Sequence, residues 1–292
     1  MKRAFISLFF FAALASVAVG QNANDWFITV CKPEGTTISF NATGNGYTLK
    51  CVQLDGSGNE IPSTMQTFTG VNGSYTITTG ITAGQKYRIY AYGGTFNKVG
   101  FFYSNTLLKV EQWGTTQWDT MYHAFSGCEN MDVTATDVPD LSTCQYLSGM
   151  FSGCTSLVNA NGSISGWQTA NVTDMISMFE GAPSFNQPLN WNTQNVTNMS
   201  TMFTGATAFN SALNFNTQNV TNMSMMFANA TSFNQPLNWN TQNVTDMSMM
   251  FFSATSFNQP LNWNTQNVTN MSLMFFQATA FNSALNFNTQ NV

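Results

Sequence analysis

The chain has 292 residues and a formal net charge of −5, and its 43% apolar content, with 26 Phe, 17 Met and 7 Trp, is far too high for a disordered polymer. All 8 Lys and Arg lie at or before Lys109, and beyond Leu141 the only charges are Asp174, Glu180 and Asp246. That excludes nucleic acid as a partner, since phosphate recognition needs a basic footprint, and it leaves the C-terminal half without acid–base pairs or an ordinary metal ligand set.

Residues 1–20 read as a secretory signal peptide. Lys2 and Arg3 form a basic start, an apolar run continues from Ala4 to Val19, and the small residues Ala18 and Gly20 precede cleavage before Gln21. The residue directly after that point is Gln21 and not Cys, so no bacterial lipid anchor is expected, and no later apolar stretch is long enough for a membrane span. A secreted or cell-surface location is therefore expected.

Residues 21–108 read as a small β-sandwich. Candidate strands at 26–31, 37–41, 47–52, 74–78, 87–92 and 99–103 are rich in Val, Ile, Thr, Tyr and Phe. Gly, Asn and Ser turns separate them, with Asp55-Gly56 and Asn72-Gly73 as hairpin candidates. Two roles stand for this region, a structural cap or spacer and a carbohydrate- or ligand-binding module.

Residues 109–292 are a repeat. Trp167, Trp191, Phe215, Trp239, Trp263 and Phe287 follow at a spacing of 24, as do Phe179, Phe203, Phe227, Phe251 and Phe275. Phe125 and Phe151 extend the second series backwards with spacings of 26 and 28, giving about seven units. A fixed period in the twenties predicts a solenoid that ends mid-repeat, mostly β with short helices.

Within one unit, Phe185, Leu189 and Trp191 are expected to point inward from a short strand. Val196, Met199, Met202 and Phe203 carry helical spacing, so a short helical turn capped by Thr197 or Asn198 is expected. Gly205 supplies a positive-φ exit and Ala206 a tight return. Stacking puts like on like, so the Trp, Phe, Leu and Met ladders are expected in the core rather than as a sugar-binding platform, with Met filling gaps between rings. The Asn186, Asn210, Asn234, Asn258 and Asn282 ladder is expected to satisfy backbone groups at a bend. Asn192, Thr193 and Gln194, with their copies, are expected to face water as a neutral polar stripe, the place for any contact surface.

The unit Trp167 to Thr169, Asn171-Val172-Thr173-Asp174-Met175, Met178-Phe179, Phe185-Asn186-Gln187-Pro188-Leu189 and Trp191 resembles the repeat of BspA-like leucine-rich-repeat surface proteins. More narrowly, it resembles the short-repeat branch found in bacterial and protist surface proteins. The lead-in Val110-Glu111-Gln112-Trp113-Gly114, with Trp118, Met121, Phe125 and Gly127-Cys128, resembles the family's entry into its repeats, and the region before it is loosely similar to an Ig-like or PKD-like domain. The resemblance implies a leucine-rich-repeat-like solenoid behind a β-sandwich, and a surface adhesion or recognition protein binding protein or glycan partners. It brings no catalytic residue, and no catalytic, cofactor-binding or metal-binding residue is assigned in this chain.

Cys31 and Cys51 sit in strands read as adjacent and could pair. Cys128 and Cys154, in neighbouring units, could bridge or remain buried thiols. His123 has no visible catalytic partner set. Acceptor sequons at Asn41, Asn72, Asn161, Asn171, Asn195, Asn198, Asn219, Asn222, Asn243, Asn267 and Asn270 matter only in a glycosylating host. Truncation of a longer chain is the favoured reading of the end at Val292, with cover by another subunit as the other. Two functions are carried forward: a non-enzymatic adhesion or recognition protein, and a self-assembling structural component of a filament, matrix or cell coat, associating through the open C-terminal coil. Ice binding is the least favoured, because Gln194, Asn195 and Val196 separate the Thr193 and Thr197 ladders.

Overall fold

The computed structural model describes residues 23–292. The expected signal peptide lies outside the described residues. The strands, in chain order, are β1 (Phe27–Cys31), β2 (Ile38–Phe40), β3 (Ala42–Thr43), β4 (Tyr47–Gln53), β5 (Gln66–Val71), β6 (Tyr75–Ile77), β7 (Tyr87–Tyr92), β8 (Lys98–Val99), β9 (Leu107–Gln112) and β10 (Asp132–Val133). Six of them form an open sheet in the order β10-β9-β1-β7-β4-β5, while β2-β6 and β3-β8 are two-stranded ribbons. β7 lies at the centre, antiparallel to β1 from Phe27↔Ala91 to Cys31↔Tyr87 and to β4 from Thr48↔Tyr92 to Gln53↔Tyr87.

Alternation along β7 sets the two faces of the sheet. Tyr87, Ile89 and Ala91 join the core. Arg88 and Tyr90 look the other way, where Arg88 bonds Glu60 at 3.2 Å and Glu111 at 2.7 Å. There Trp26 stacks on Tyr92 at 4.4 Å, and the Lys50 ammonium sits 5.0 Å from the Tyr90 ring centre.

The expected fold class is corrected on both counts. Among the described residues no second broad sheet faces the first, so the region is not a β-sandwich. Instead, one hydrophobic cluster runs without a break from Phe27 through Trp113 and Trp118 to Met274, so the inner face of the sheet packs on the ribbons and the first repeats. β9 spans residue 108, pairing with β1 on one side and in parallel with β10 on the other.

Nor are the repeats a leucine-rich-repeat solenoid of strands and helices. Among the described residues the last strand is β10, and the one helical element beyond it is the 3-10 turn Ser163–Gly166. The units are turns, touching through isolated parallel bridges such as Asp174↔Asn198, Asn198↔Asn222 and Leu189↔Leu213. The expected helix around Met199 to Phe203 is a run of three overlapping turns, the middle one closed by Thr204 N–H on Thr201 O. Met202 N–H donates to Met199 O and Ala206 N–H to Phe203 O, with Thr201 at φ 57° and Gly205 at φ 70° in the third positions. A positive φ at the third residue is what a type II turn requires, and a residue held there cannot continue a right-handed helix. The same backbone recurs at Ser177 and Gly181, at Met225 and Asn229, and at Met249 and Ser253.

These turns also hold neighbouring units together. The N–H groups of Met175, Ser177, Phe179 and Gly181 donate to Asn198, Ser200, Met202 and Thr204 O at 2.7–3.1 Å, and each later unit repeats the pattern. Inside, rings stack nearly parallel: Phe179 on Phe203 at 5.6 Å, Phe203 on Phe227 at 5.7 Å, and Trp239 on Trp263 at 6.3 Å and 2°. The Trp and Phe ladders are core residues. Trp191 and Trp263 also donate their indole N–H to Ile164 O at 2.8 Å and Leu237 O at 3.0 Å.

Candidate functional site

The face of the repeats that meets water is built from a short sequence, Asn192-Thr193-Gln194-Asn195-Val196-Thr197, and its copies. Val196 turns inward and is fully buried. Thr193, expected to face water, is also buried: its hydroxyl donates to Asn216 O of the next unit at 3.1 Å. Thr217, Thr241 and Thr265 make the same bond at 2.8–3.0 Å. A buried hydroxyl needs a partner, and the next unit's carbonyl supplies one. Asn192, Gln194, Asn195 and Thr197 remain exposed, so the face holds two residues that the expected stripe left out.

Each of these side chains except Gln194 is held in place. Asn192 Oδ1 accepts Gln194 N–H at 3.1 Å, an Asx turn repeated by Asn216, Asn240, Asn264 and Asn288 at the same distance. Asn195 Nδ2 donates back to Ala170 O at 2.7 Å, and Asn219, Asn243 and Asn267 donate equally to Gln194, Gln218 and Gln242 O. Thr197 Oγ1 donates to Thr173 O at 3.3 Å, with Thr221, Thr245 and Thr269 continuing at 3.2 Å. The partners fix which end of each amide is which, because a carbonyl can only accept and a backbone N–H can only donate.

The Asn186 ladder does what its position suggests. Asn186 Oδ1 accepts Asn210 N–H at 2.8 Å, and Asn210, Asn234 and Asn258 pass the same bond along. Asn198, considered as a helix cap, opens a turn instead, with its Oδ1 accepting Ser200 N–H at 2.9 Å.

The five cysteines are free and buried. Cys31 and Cys51 are not on adjacent strands: β7 runs between β1 and β4, so the pairing open on sequence grounds has an intervening strand. Cys128 Sγ donates to Phe101 O at 2.9 Å and Cys154 Sγ to Phe125 O at 3.1 Å. Burial pushes their thiols above the ordinary range, Cys128 to about 11. The His123 ring lies against Gly149 and edge-on to Tyr122, at 4.4 Å from its centre. Among the described residues no group of three or more His, Cys, Asp or Glu could hold a metal ion.

Residues 119–236 and 212–292 match the family described as Mycoplasma protein of unknown function, DUF285. The chain belongs to that family. The match does not extend to the narrower BspA-like leucine-rich-repeat branch. No curated protein and no solved structure matches the chain.

Proposed function

We propose that the chain is a non-enzymatic, exported surface protein that recognises a partner through the polar face of its repeats. The observation that carries this reading is the face itself: the same exposed Asn, Gln, Asn and Thr recur unit after unit, three of the four held by hydrogen bonds. Ordering these side chains in advance lowers the entropy cost of an encounter, which supports the use of this face for contact. The apolar start of the sequence supports export, and membership of a repeat family agrees with a role in display.

Assembly into a head-to-tail filament fits less well. Such a filament needs a free row of carbonyls at the N-terminal end of the repeats, and there Ala124 O and Ser126 O already accept the N–H groups of Phe101 and Tyr103.

The test is expression of the full chain in a secretory host, followed by N-terminal sequencing of the exported product and attachment assays on cells. Recognition predicts a product that begins at Gln21 and attaches to cells saturably. Retention inside the cell, or attachment to none of the surfaces offered, would overturn the reading.

A further inference from the structure

We propose that the repeat face binds a neutral, extended glycan chain laid along the stack of units. This deepens the recognition reading and rests on it. The argument begins with what the locked side chains leave over. Asn216, Asn240 and Asn264 each spend Oδ1 on a backbone N–H, and their Nδ2 groups form no hydrogen bond among the described residues. Asn219, Asn243 and Asn267 do the reverse, spending Nδ2 on a carbonyl and leaving Oδ1 without a partner. The face therefore carries a column of amide donors beside a column of amide acceptors, each repeating once per unit.

Such an array selects its ligand by chemistry. No charged residue stands among the repeated positions of the face, so neither an anion nor a cation finds a counter-charge there. No apolar side chain larger than that of Ala170 is exposed on it, so a lipid or an apolar peptide gains little. A sugar hydroxyl both donates and accepts, and a glycan presents hydroxyls again at every residue, so it can satisfy both columns over several units at once. Repetition of weak, equal contacts then gives affinity that grows with ligand length.

The experiment uses the purified full chain and a length series of linear neutral glucan and xylan oligosaccharides, measured by calorimetry at low and high salt. The expected result is binding that tightens with chain length and is unchanged by salt. The triple variant Asn216→Asp, Asn240→Asp, Asn264→Asp keeps the oxygen that accepts the backbone N–H and replaces each outward donor by an acceptor. Binding should weaken about tenfold or more. Should that variant fail to fold, Gln218→Ala, Gln242→Ala and Gln266→Ala remove exposed side chains that bond nothing among the described residues, and they should also weaken binding. The inference falls if no oligosaccharide binds, if length has no effect, or if a folded variant binds as tightly as the parent. Ice shaping without glycan binding would assign the face to ordered water and overturn the inference. Saturable attachment to cells alongside indifference to every glycan would remove the inference and leave the recognition reading standing.

Discussion

The ring of Phe101 lies 5.9 Å from that of Phe125 and only 6° from parallel, which is how Phe179 meets Phe203 at 5.6 Å and 8°. Phe101 is thus the first rung of the aromatic ladder, although it precedes the point where the repeat becomes visible in sequence. Tyr103 completes the likeness with φ 51° and an N–H that bonds Ser126 O, matching Gly127 and its bond to Ser152 O. Terminal units of a repeat stack need a cover for their polar edge and rings, and here the end of the sheet region provides it.

Replacing Phe101 by Ala should therefore destabilise the whole chain and not just the sheet. Removal of a buried aromatic ring costs about 3–5 kcal/mol. Urea unfolding should show it, and because Phe125 loses the same contact, the double variant should cost less than the two single ones together.

The left-handed positions make a second expectation. A Cβ on Gly127 would run into the Tyr103 ring, so Gly127→Ala should cost about 1–3 kcal/mol. At Gly205 a Cβ meets nothing nearer than Gly181 at 3.8 Å, and Asn229 occupies the matching place one unit later. Gly205→Asn should lower stability by less than about 1 kcal/mol, as read by the thermal midpoint.

The two threonine columns should respond differently to the same change. Thr217→Val removes the bond that the buried Thr217 hydroxyl makes to Asn240 O and should cost about 1–2 kcal/mol. Thr221→Val alters an exposed hydroxyl whose acceptor, Thr197 O, also receives the Thr221 N–H, so its effect on the urea midpoint should be smaller.

Buried thiols give a pH dependence of known sign. Burial pushes Cys128 to about 11 and Cys51 to about 12 from an ordinary 9.0. The folded state holds these protons more tightly than the unfolded one, so the stability they contribute is complete below 9.0 and is lost as pH rises towards 11 to 12. A thiol reagent at neutral pH should leave the native protein unmodified and label the five cysteines after denaturation.

The period was legible because stacking places like upon like, and the ladders of Phe, Trp and Asn follow from it directly. The conformation within a unit was not. Met199, Met202, Phe203 and Ala206 are spaced as a helix would space them, yet overlapping turns bring the same residues inward. The signal that could have separated the two is the third position of the turn that closes at Ala206, where Gly127, Gly153, Gly181 and Gly205 recur and Asn229 follows. Five of the sheet and ribbon strands were read close to their bounds, at β1, β2, β4, β6 and β7. β5 and β9 were missed, because Thr and Gly break the pattern of one and Lys109 and Glu111 that of the other. The order of strands, which sets β7 between Cys31 and Cys51, is a matter of distant pairing and leaves no mark on local sequence. Thr193 was misplaced for a related reason: its partner, Asn216 O, lies one full unit away.

Within the turns the bonds between units run one way, with four N–H groups per unit directed at the following unit and their carbonyls at the preceding one, while the N–H of Thr197 and its copies points back. In an ordinary sheet neighbouring peptide groups alternate and their dipoles nearly cancel. Here the peptide groups that end at Met199, Thr201, Phe203 and Gly205 point together, so their dipoles add as they do along a helix. Each further unit lengthens an electrical axis that is positive towards the later repeats and negative towards the sheet, in a part of the chain that carries almost no formal charge.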